Sequence, residues 1–478
     1  MFSLALAMMI LSGCAAVGPD YVKPETPVPA DWHSRSKGDS ASGKPEPQAP
    51  AAWWAVFKDS ELTGLVEQAV AGSLDLRKAR AKLREARAKR GVAQAELYPA
   101  LDASGSAARS RTSGDTGTGT TGALYTAGLD ASWELDIFGG VRRSVEAAGA
   151  DLQASREDLR DVLVSLLAEV ALNYVELRTY QTRMDIAEAN LKAQDETCRL
   201  TLWRSQAGLS DELAVQQARY NLESTRSKIP ALRTGAEEAK NRLAVLLGKQ
   251  PGTLHRALED HKPIPATPLN VAVGIPADVL RQRPDVRRAE RQLAAQTARV
   301  GVATADLYPK FKLSGSIGLE ALTPGGLFSS DSGTLSGSSG FSWRIFDAGA
   351  VRSTIETQSA VQEQYLVAYK AAVLGALEEV EKSLTAYAEE QRRRQALSEA
   401  TRAAKEAAEL ARFKYEAGLT DFSSVLEAER SLLTFQDELA QSEGTIISNL
   451  IKLYKALGGG WESLVPDEKK PPANEKVT

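Results

Sequence analysis

The sequence predicts a mostly α-helical protein with a small β part and an internal two-fold repeat, and three observations lead there. Two stretches, Val141–Gln206 and Val351–Glu416, contain no proline and one glycine each, Gly149 and Gly375. Between and above them lie short stretches in which apolar and polar residues alternate with a period of two. Landmarks of the first half also return 210 residues later: "AELYPALDASGSA" as "ADLYPKFKLSGSI", "SQAGLSD" as "YEAGLTD" and "LAVLLGK" as "IKLYKALGG".

Nothing in Val141–Gln206 need break an α-helix. About 66 residues at 1.5 Å each make a helix roughly 100 Å long, against the usual 11–12 residues. Leu159, Leu163, Leu166, Val170, Asn173, Leu177, Tyr180 and Met184 are spaced alternately four and three apart, which is the seam of a helix packed along its length on other helices. Tyr369, Val373, Ala376 and Val380 stand 210 residues after the first four of these, as Tyr308, Gly418 and Gly458 do after Tyr98, Gly208 and Gly248. A seam and three landmarks in constant register mark a duplication.

The chain of 478 residues is 25% charged and 6% aromatic, which suits long amphipathic helices. With 58 basic and 62 acidic residues the net charge is −4, and the one basic block, Arg392-Arg393-Arg394, falls mid-helix. Nucleic acid is therefore not expected as a partner. The first residues, MFSLALAMMILSGC, are apolar, too short to span a bilayer permanently, and end in Leu11-Ser12-Gly13-Cys14. They resemble a bacterial lipoprotein signal, in which 1–13 is removed and Cys14 carries a covalent lipid. Ala15 follows in place of the aspartate of an inner-membrane retention signal, which implies delivery to the outer membrane. Cys198 then has no partner, and no disulfide is expected.

In chain order, 14–59 reads as a lipidated tether rich in Pro, Ser, Gly and Ala, with Trp53, Trp54 and Phe57 opening the ordered part. Ser60–Leu97 reads as a helix, ended by Tyr98-Pro99, within a segment 60–99. In 100–135 the period becomes two: Leu101, Ala103, Gly105 and Ala107, then Tyr125, Ala127, Leu129, Ala131, Trp133 and Leu135, alternate with polar residues across a Gly/Ser/Thr loop. Such strands suit either a membrane β-barrel or one face of a soluble sandwich. A helical hairpin over 140–248 turns at Gly208, which can end one helix in the left-handed conformation, and Ser210 or Asp211 can cap the next. A proline-rich crossing, 249–283, leads to a helix over 284–309. A second hairpin of strands over 310–346 follows, with Phe311, Leu313 and Ile317 and then Leu335, Phe341, Trp343 and Ile345 on the apolar face. A second helical hairpin occupies 349–457, and 458–478 is a polar tail.

Each repeat so descends one long helix and returns in two shorter ones of matching summed length, with Ser60–Leu97 supplying the return helix of the second repeat. Four strands are too few for a closed barrel, since single-chain barrels begin at about eight. Membrane strands cannot leave edges facing lipid. If these strands lie in a membrane, several chains must share one barrel.

The segments "VGPDYVKPETPVPADW", "WWAVFKDSELTGLVEQAVAGSLDLRKAR", "WELDIFGG" and "GIPADVLRQRPDVRRAERQLAAQTARVGVATADLYPKFKLSGS" resemble the outer-membrane lipoprotein channels of tripartite, RND-type efflux systems, the TolC-like outer membrane factors of the NodT subfamily. The resemblance runs from Cys14 to Trp461. It implies a homotrimer, in which a long α-helical coiled-coil barrel in the periplasm continues a transmembrane β-barrel built from four strands per chain. It also implies a periplasmic adaptor protein docked at the helix tips, here Ala207, Gly208, Leu209 and Ala417, Gly418, Leu419, Thr420, and an inner-membrane pump reached through it. By position the periplasmic gate falls on Ser424 and Glu427, although Ser424 stands where some members carry a second aspartate. Gly208 and Gly418 are equally ordinary helix caps, and Glu427 is equally a solvated helix-face residue.

No enzyme is expected: His33, His255 and His261 are the only histidines, and no metal, phosphate-cradling or nucleophile motif is present. No cofactor is expected besides the lipid on Cys14. The functional reading is an outer-membrane exit duct for small toxic compounds. The alternatives are the duct of a protein or peptide secretion system and a pore-less periplasmic coiled-coil scaffold. A scaffold has no use for amphipathic strands placed one hairpin per repeat, and the lipoprotein signal and "RPDVRRAE" look more like the efflux branch.

Overall fold

A computed structural model of the chain describes residues 16–33, 52–117, 119–265, 276–462 and 464. The expected signal peptide, Cys14 and nearly all of the polar tail lie outside the described residues. After a 3-10 turn at Trp53–Phe57 the elements are α1 (Ser60–Gly72), α2 (Leu74–Ala95), β1 (Ala100–Arg111), β2 (Thr121–Leu135), α3 (Gly140–Gln206) and α4 (Glu212–Leu246). They continue with α5 (Pro276–Gln282), α6 (Pro284–Ala305), β3 (Lys310–Ala321), β4 (Gly333–Ser342), α7 (Ala350–Glu416) and α8 (Phe422–Ala456). The bounds of α6, β3, α7 and α8 repeat those of α2, β1, α3 and α4 residue for residue, 210 positions on. Mostly helical with one small sheet, the chain has the predicted class.

The helix expected over Ser60–Leu97 is two helices. Gly72 passes the end of α4 so closely that a Cβ there would lie 2.3 Å from the Leu247 carbonyl oxygen, and one on Gly248 would lie 2.3 Å from that of Gly72. Two backbones can meet this way only without side chains. Ser73 leaves the helical conformation at φ −55°, ψ 128°, and its hydroxyl accepts from the Leu76 amide at 3.4 Å. The second strand pair is also shorter than expected. β4 stops at Ser342, opposite Lys310, where β3 begins, so Trp343 and Ile345 follow the strand. The Trp343 indole instead donates to the Leu307 carbonyl at 3.0 Å, as its counterpart Trp133 does to Leu97.

The chain divides into two compact units. The first comprises Met1–Thr26, Ala81–Glu157 and Arg287–Ala372, and holds the sheet. Here the tether is strapped down. The Val17 amide donates to the Phe138 carbonyl at 3.0 Å, and the buried Arg143 donates to the Val17 carbonyl at 3.0 Å and pairs with Asp20 at 2.7 Å and Glu146 at 2.8 Å. Tyr21 and Lys23 both reach Glu290. Phe138 stacks on Tyr308 with centroids 4.6 Å apart.

The second unit comprises Pro27–Arg80, Asp158–Val286 and Val373–Thr478. Its core is the seam of α3: Leu163, Leu166, Val170, Asn173, Leu177 and Met184 are buried, and Leu159 and Tyr180 pack on them partly exposed. Trp53, Trp54, Phe57, Leu254 and Leu258 cover that seam, and Trp53 stacks on Tyr454 at 5.6 Å. The buried Arg178 pairs with Glu61 at 2.5 Å and donates to the Asp260 carbonyl at 2.8 Å, so a charge in this core is paired.

Candidate functional sites

The four strands form one antiparallel sheet in the order β1-β2-β3-β4. Register decides what the sheet presents. Leu101 faces Ala131, Ala103 faces Leu129, Leu129 faces Ile317 and Ile317 faces Leu335. Trp133 faces Leu313, and Leu135 faces Phe311, which faces Phe341. Every apolar position named from the period that lies within the four strands is therefore on one face, and Leu101, Ile317, Leu335 and Phe341 are exposed there, while Trp343 and Ile345 lie beyond β4. The opposite face is polar, tied by Ser104 to Asp130 at 2.7 Å, Ser106 to Thr126 at 2.8 Å and Ser316 to Ser336 at 2.7 Å. One apolar and one polar face, with β1 and β4 each paired on one side, is a sheet whose edges and apolar face both call for cover.

The two helix tips are built alike. Gly208 and Gly418 both have φ +71°, the left-handed conformation glycine adopts without strain. The Gly208 amide donates to the Ser205 carbonyl at 3.0 Å and the Leu209 amide to that of Arg204 at 2.8 Å; Gly418 and Leu419 repeat this with Tyr415 and Lys414. These paired bonds satisfy the last carbonyls of α3 and α7. The turn leaves Ala207, Gly208, Leu209, Ala417, Gly418 and Leu419 exposed, with Leu209 at 69% and Leu419 at 74%. Asp211 caps α4 by accepting from the Ala214 amide at 2.9 Å, whereas the Asp421 side chain caps nothing. Thr420 donates instead to the Ser424 hydroxyl at 3.1 Å.

Ser424 and Glu427, three residues apart on α8, share an open groove of about 480 Å³ with Ala404, Ala407, Ser423, Ala428 and Ser431. Both are exposed. The small residues of α7 opposite leave the Glu427 carboxylate room to move. Two residues on, Glu429 behaves differently. Its carboxylate accepts from the Thr197 hydroxyl at 2.8 Å, and burial pushes its pKa above the usual range while Thr197 and Arg412 pull it down. Sequence reading passed over Glu429 because it looks like any helix-face glutamate; only the neighbouring Thr197 and Asn221 set it apart. Cys198 is half-buried and free, and burial raises its thiol pKa, as suits a small packing residue.

Comparison with known proteins adds a family to this geometry. The family described as "Outer membrane efflux protein" matches residues 65–249 and again 275–459, two matches in the register of the repeat. The chain is 34% identical over 467 residues to "Nodulation protein T" of Rhizobium leguminosarum bv. trifolii, covering 95% of this chain and 96% of that one. It is 31% identical to the "Probable efflux pump outer membrane protein TtgC" of Pseudomonas putida, covering 96% of each. A solved structure described as "Structural insights of the outer-membrane channel OprN" superposes with a TM-score of 0.87 at 38% identity, covering 94% of this chain and all of that one.

Proposed function

Because the chain belongs to the outer membrane efflux protein family, we propose that it is the exit duct of a tripartite efflux pump. It resides in the outer membrane and lets small toxic compounds pass without chemistry. The observation that carries this reading is the sheet. Four strands with one apolar face and one polar face line a channel only when copies pool them. Three copies make a twelve-stranded β-barrel, which the long helices continue as a helical barrel into the periplasm, and the lipid on Cys14 adds a second hold on the membrane. No other cofactor is needed. The tips at Ala207, Gly208 and Leu209 and at Ala417, Gly418, Leu419 and Thr420 meet a periplasmic adaptor, through which an inner-membrane pump acts.

Ser424 and Glu427 belong to the gate. Three Glu427 carboxylates brought near one axis repel each other and attract cations, so the ring narrows passage until partners widen it. The test is direct. The purified full chain is expected to run as a heat-modifiable trimer in detergent and to conduct ions in planar bilayers; a monomer without conductance would sink the reading. Glu427→Ala should raise the leak conductance, and an unchanged leak and cation block would remove Glu427 from the gate.

A further inference from the structure

One arginine side chain reaches from one tip of the chain to the other. Arg204 lies in the last turn of α3 and crosses to the end of α7. Its Nη1 donates to the Glu416 carbonyl at 3.3 Å, and its guanidinium stands 4.7 Å over the centre of the Tyr415 ring. A Cβ built on Gly418 would meet only Arg204, whose Nη2 is 3.9 Å away. Tyr415 is buried, meets Phe422 edge-on at 5.5 Å, and shares an apolar cluster with Ala214, Ala218, Val425 and Leu426. That cluster includes residues just beyond both tips.

Arg204 is poorly placed as a mere stabiliser. Its Nε and the Tyr415 hydroxyl are buried without a hydrogen-bond partner among the described residues, which costs free energy. Its geometry does supply a fixed spacing: a planar cation stacked on a ring, with its fork on a carbonyl at a helix C-terminus, where the helix dipole favours positive charge. The contact is one-sided, since the residue 210 positions on is Lys414, with Ser205 standing where the ring would be. The other tie nearby, Arg412 to Glu196 at 3.5 Å, joins two exposed side chains and is weak.

We infer that Arg204 is a positioning residue that holds the Gly208 and Gly418 tips at one spacing, so that an adaptor meets Leu209 and Leu419 together. This rests on the docking role proposed above.

The test uses the full-length lipidated protein with Arg204→Ala and Arg204→Lys. In Arg204→Ala, amides of 413–421 should exchange hydrogen about tenfold faster, the loss of one charge-assisted hydrogen bond. The strands of the first unit should keep their rates. Arg204→Lys should recover part of the protection, because an ammonium still donates to Glu416 but cannot stack as a plane. In host cells carrying only the variant, ethidium efflux should slow about fivefold, the loss of a coupling near 1 kcal/mol, at unchanged protein level and melting temperature. Unchanged exchange at 413–421 would overturn the tie. Faster exchange with wild-type efflux would overturn its role in docking, and faster exchange throughout the chain would make Arg204 a general stabiliser and overturn both. If the wild-type chain exports no ethidium, the efflux reading fails by itself, and the exchange result still decides whether Arg204 holds the tips.

Discussion

The two repeats share the bounds of three helices to the residue, yet they close differently where the returning helices begin. In the first, Gly72 and Gly248 bring two backbones into contact, and Ser73 restarts the helix with a hydroxyl cap. In the second, Arg283 stands at the position of Ser73. It donates to the Ala456 carbonyl at 2.6 Å and pairs with Asp285 and Glu379, each at 2.7 Å, beside Gly458. A backbone crossing and a charged stitch thus solve the same closure. The long helices differ too. α3 is covered by Trp53, Trp54, Leu254 and Leu258 along its seam, whereas α7 leaves Val367, Leu374 and Leu410 exposed, and Arg394 replaces the buried Met184. Duplication copied the backbone plan, and the neighbours each copy meets have since diverged.

Paired substitutions break that comparison or sharpen it. The largest effect is expected at the crossing. Gly248→Ala puts a methyl 2.3 Å from a carbonyl oxygen at φ +70°, and should cost about 3 kcal/mol or more. Gly458→Ala, facing Arg283 atoms at 3.1 Å and beyond, should cost about 1–2 kcal/mol, mostly for its left-handed φ. Melting temperatures of the purified proteins give the order, and equal losses would deny the difference between the closures.

Next comes the stitch. Arg283→Ala takes a donor from two carboxylates and a helix-end carbonyl and should cost about 2–3 kcal/mol, against about 0.5–1 kcal/mol for Ser73→Ala in the other repeat. Denaturant midpoints measure both. At the tips, Asp211→Ala should cost about 1 kcal/mol through its lost cap, and Asp421→Ala only a few tenths. A larger loss at Asp421 would show that its side chain caps α8 after all.

The smallest effect changes with pH. Burial raises the folded-state pKa of Glu429 above its unfolded value, so its contribution to stability is full below the unfolded pKa and is lost as pH rises through the folded one. Glu429→Gln should therefore melt higher than wild type at neutral pH and converge on it in acid. Arg219→Gln, at the exposed counterpart position, should leave the slope unchanged. A Glu429→Gln slope that matches wild type would mean the carboxylate is solvated.

Much of the fold was legible because helices of this length and a two-residue period are local patterns. Val141–Gln206 lacks any breaker, its seam is written in spacing, and the duplication shows in matched landmarks. The caps at Gly208 and Gly418 were legible for the same reason, since a left-handed turn selects its residue. The break at Ser73, the strapping of Val17–Asp20 by Arg143 and the burial of Glu429 were not, because each depends on a segment distant in the chain. Arg204 looks like any arginine near a helix end until Glu416 and Tyr415 are set beside it.

The sequence by itself determined the long helices, their lengths and the repeat, since these follow from hydrophobic spacing and from where proline and glycine fall. Only the tertiary structure decided which face of the sheet is apolar across all four strands, which of Glu427 and Glu429 is half-buried, and which arginine joins the tips. Those are properties of register and of contacts between residues up to hundreds of positions apart, and local pattern does not encode them.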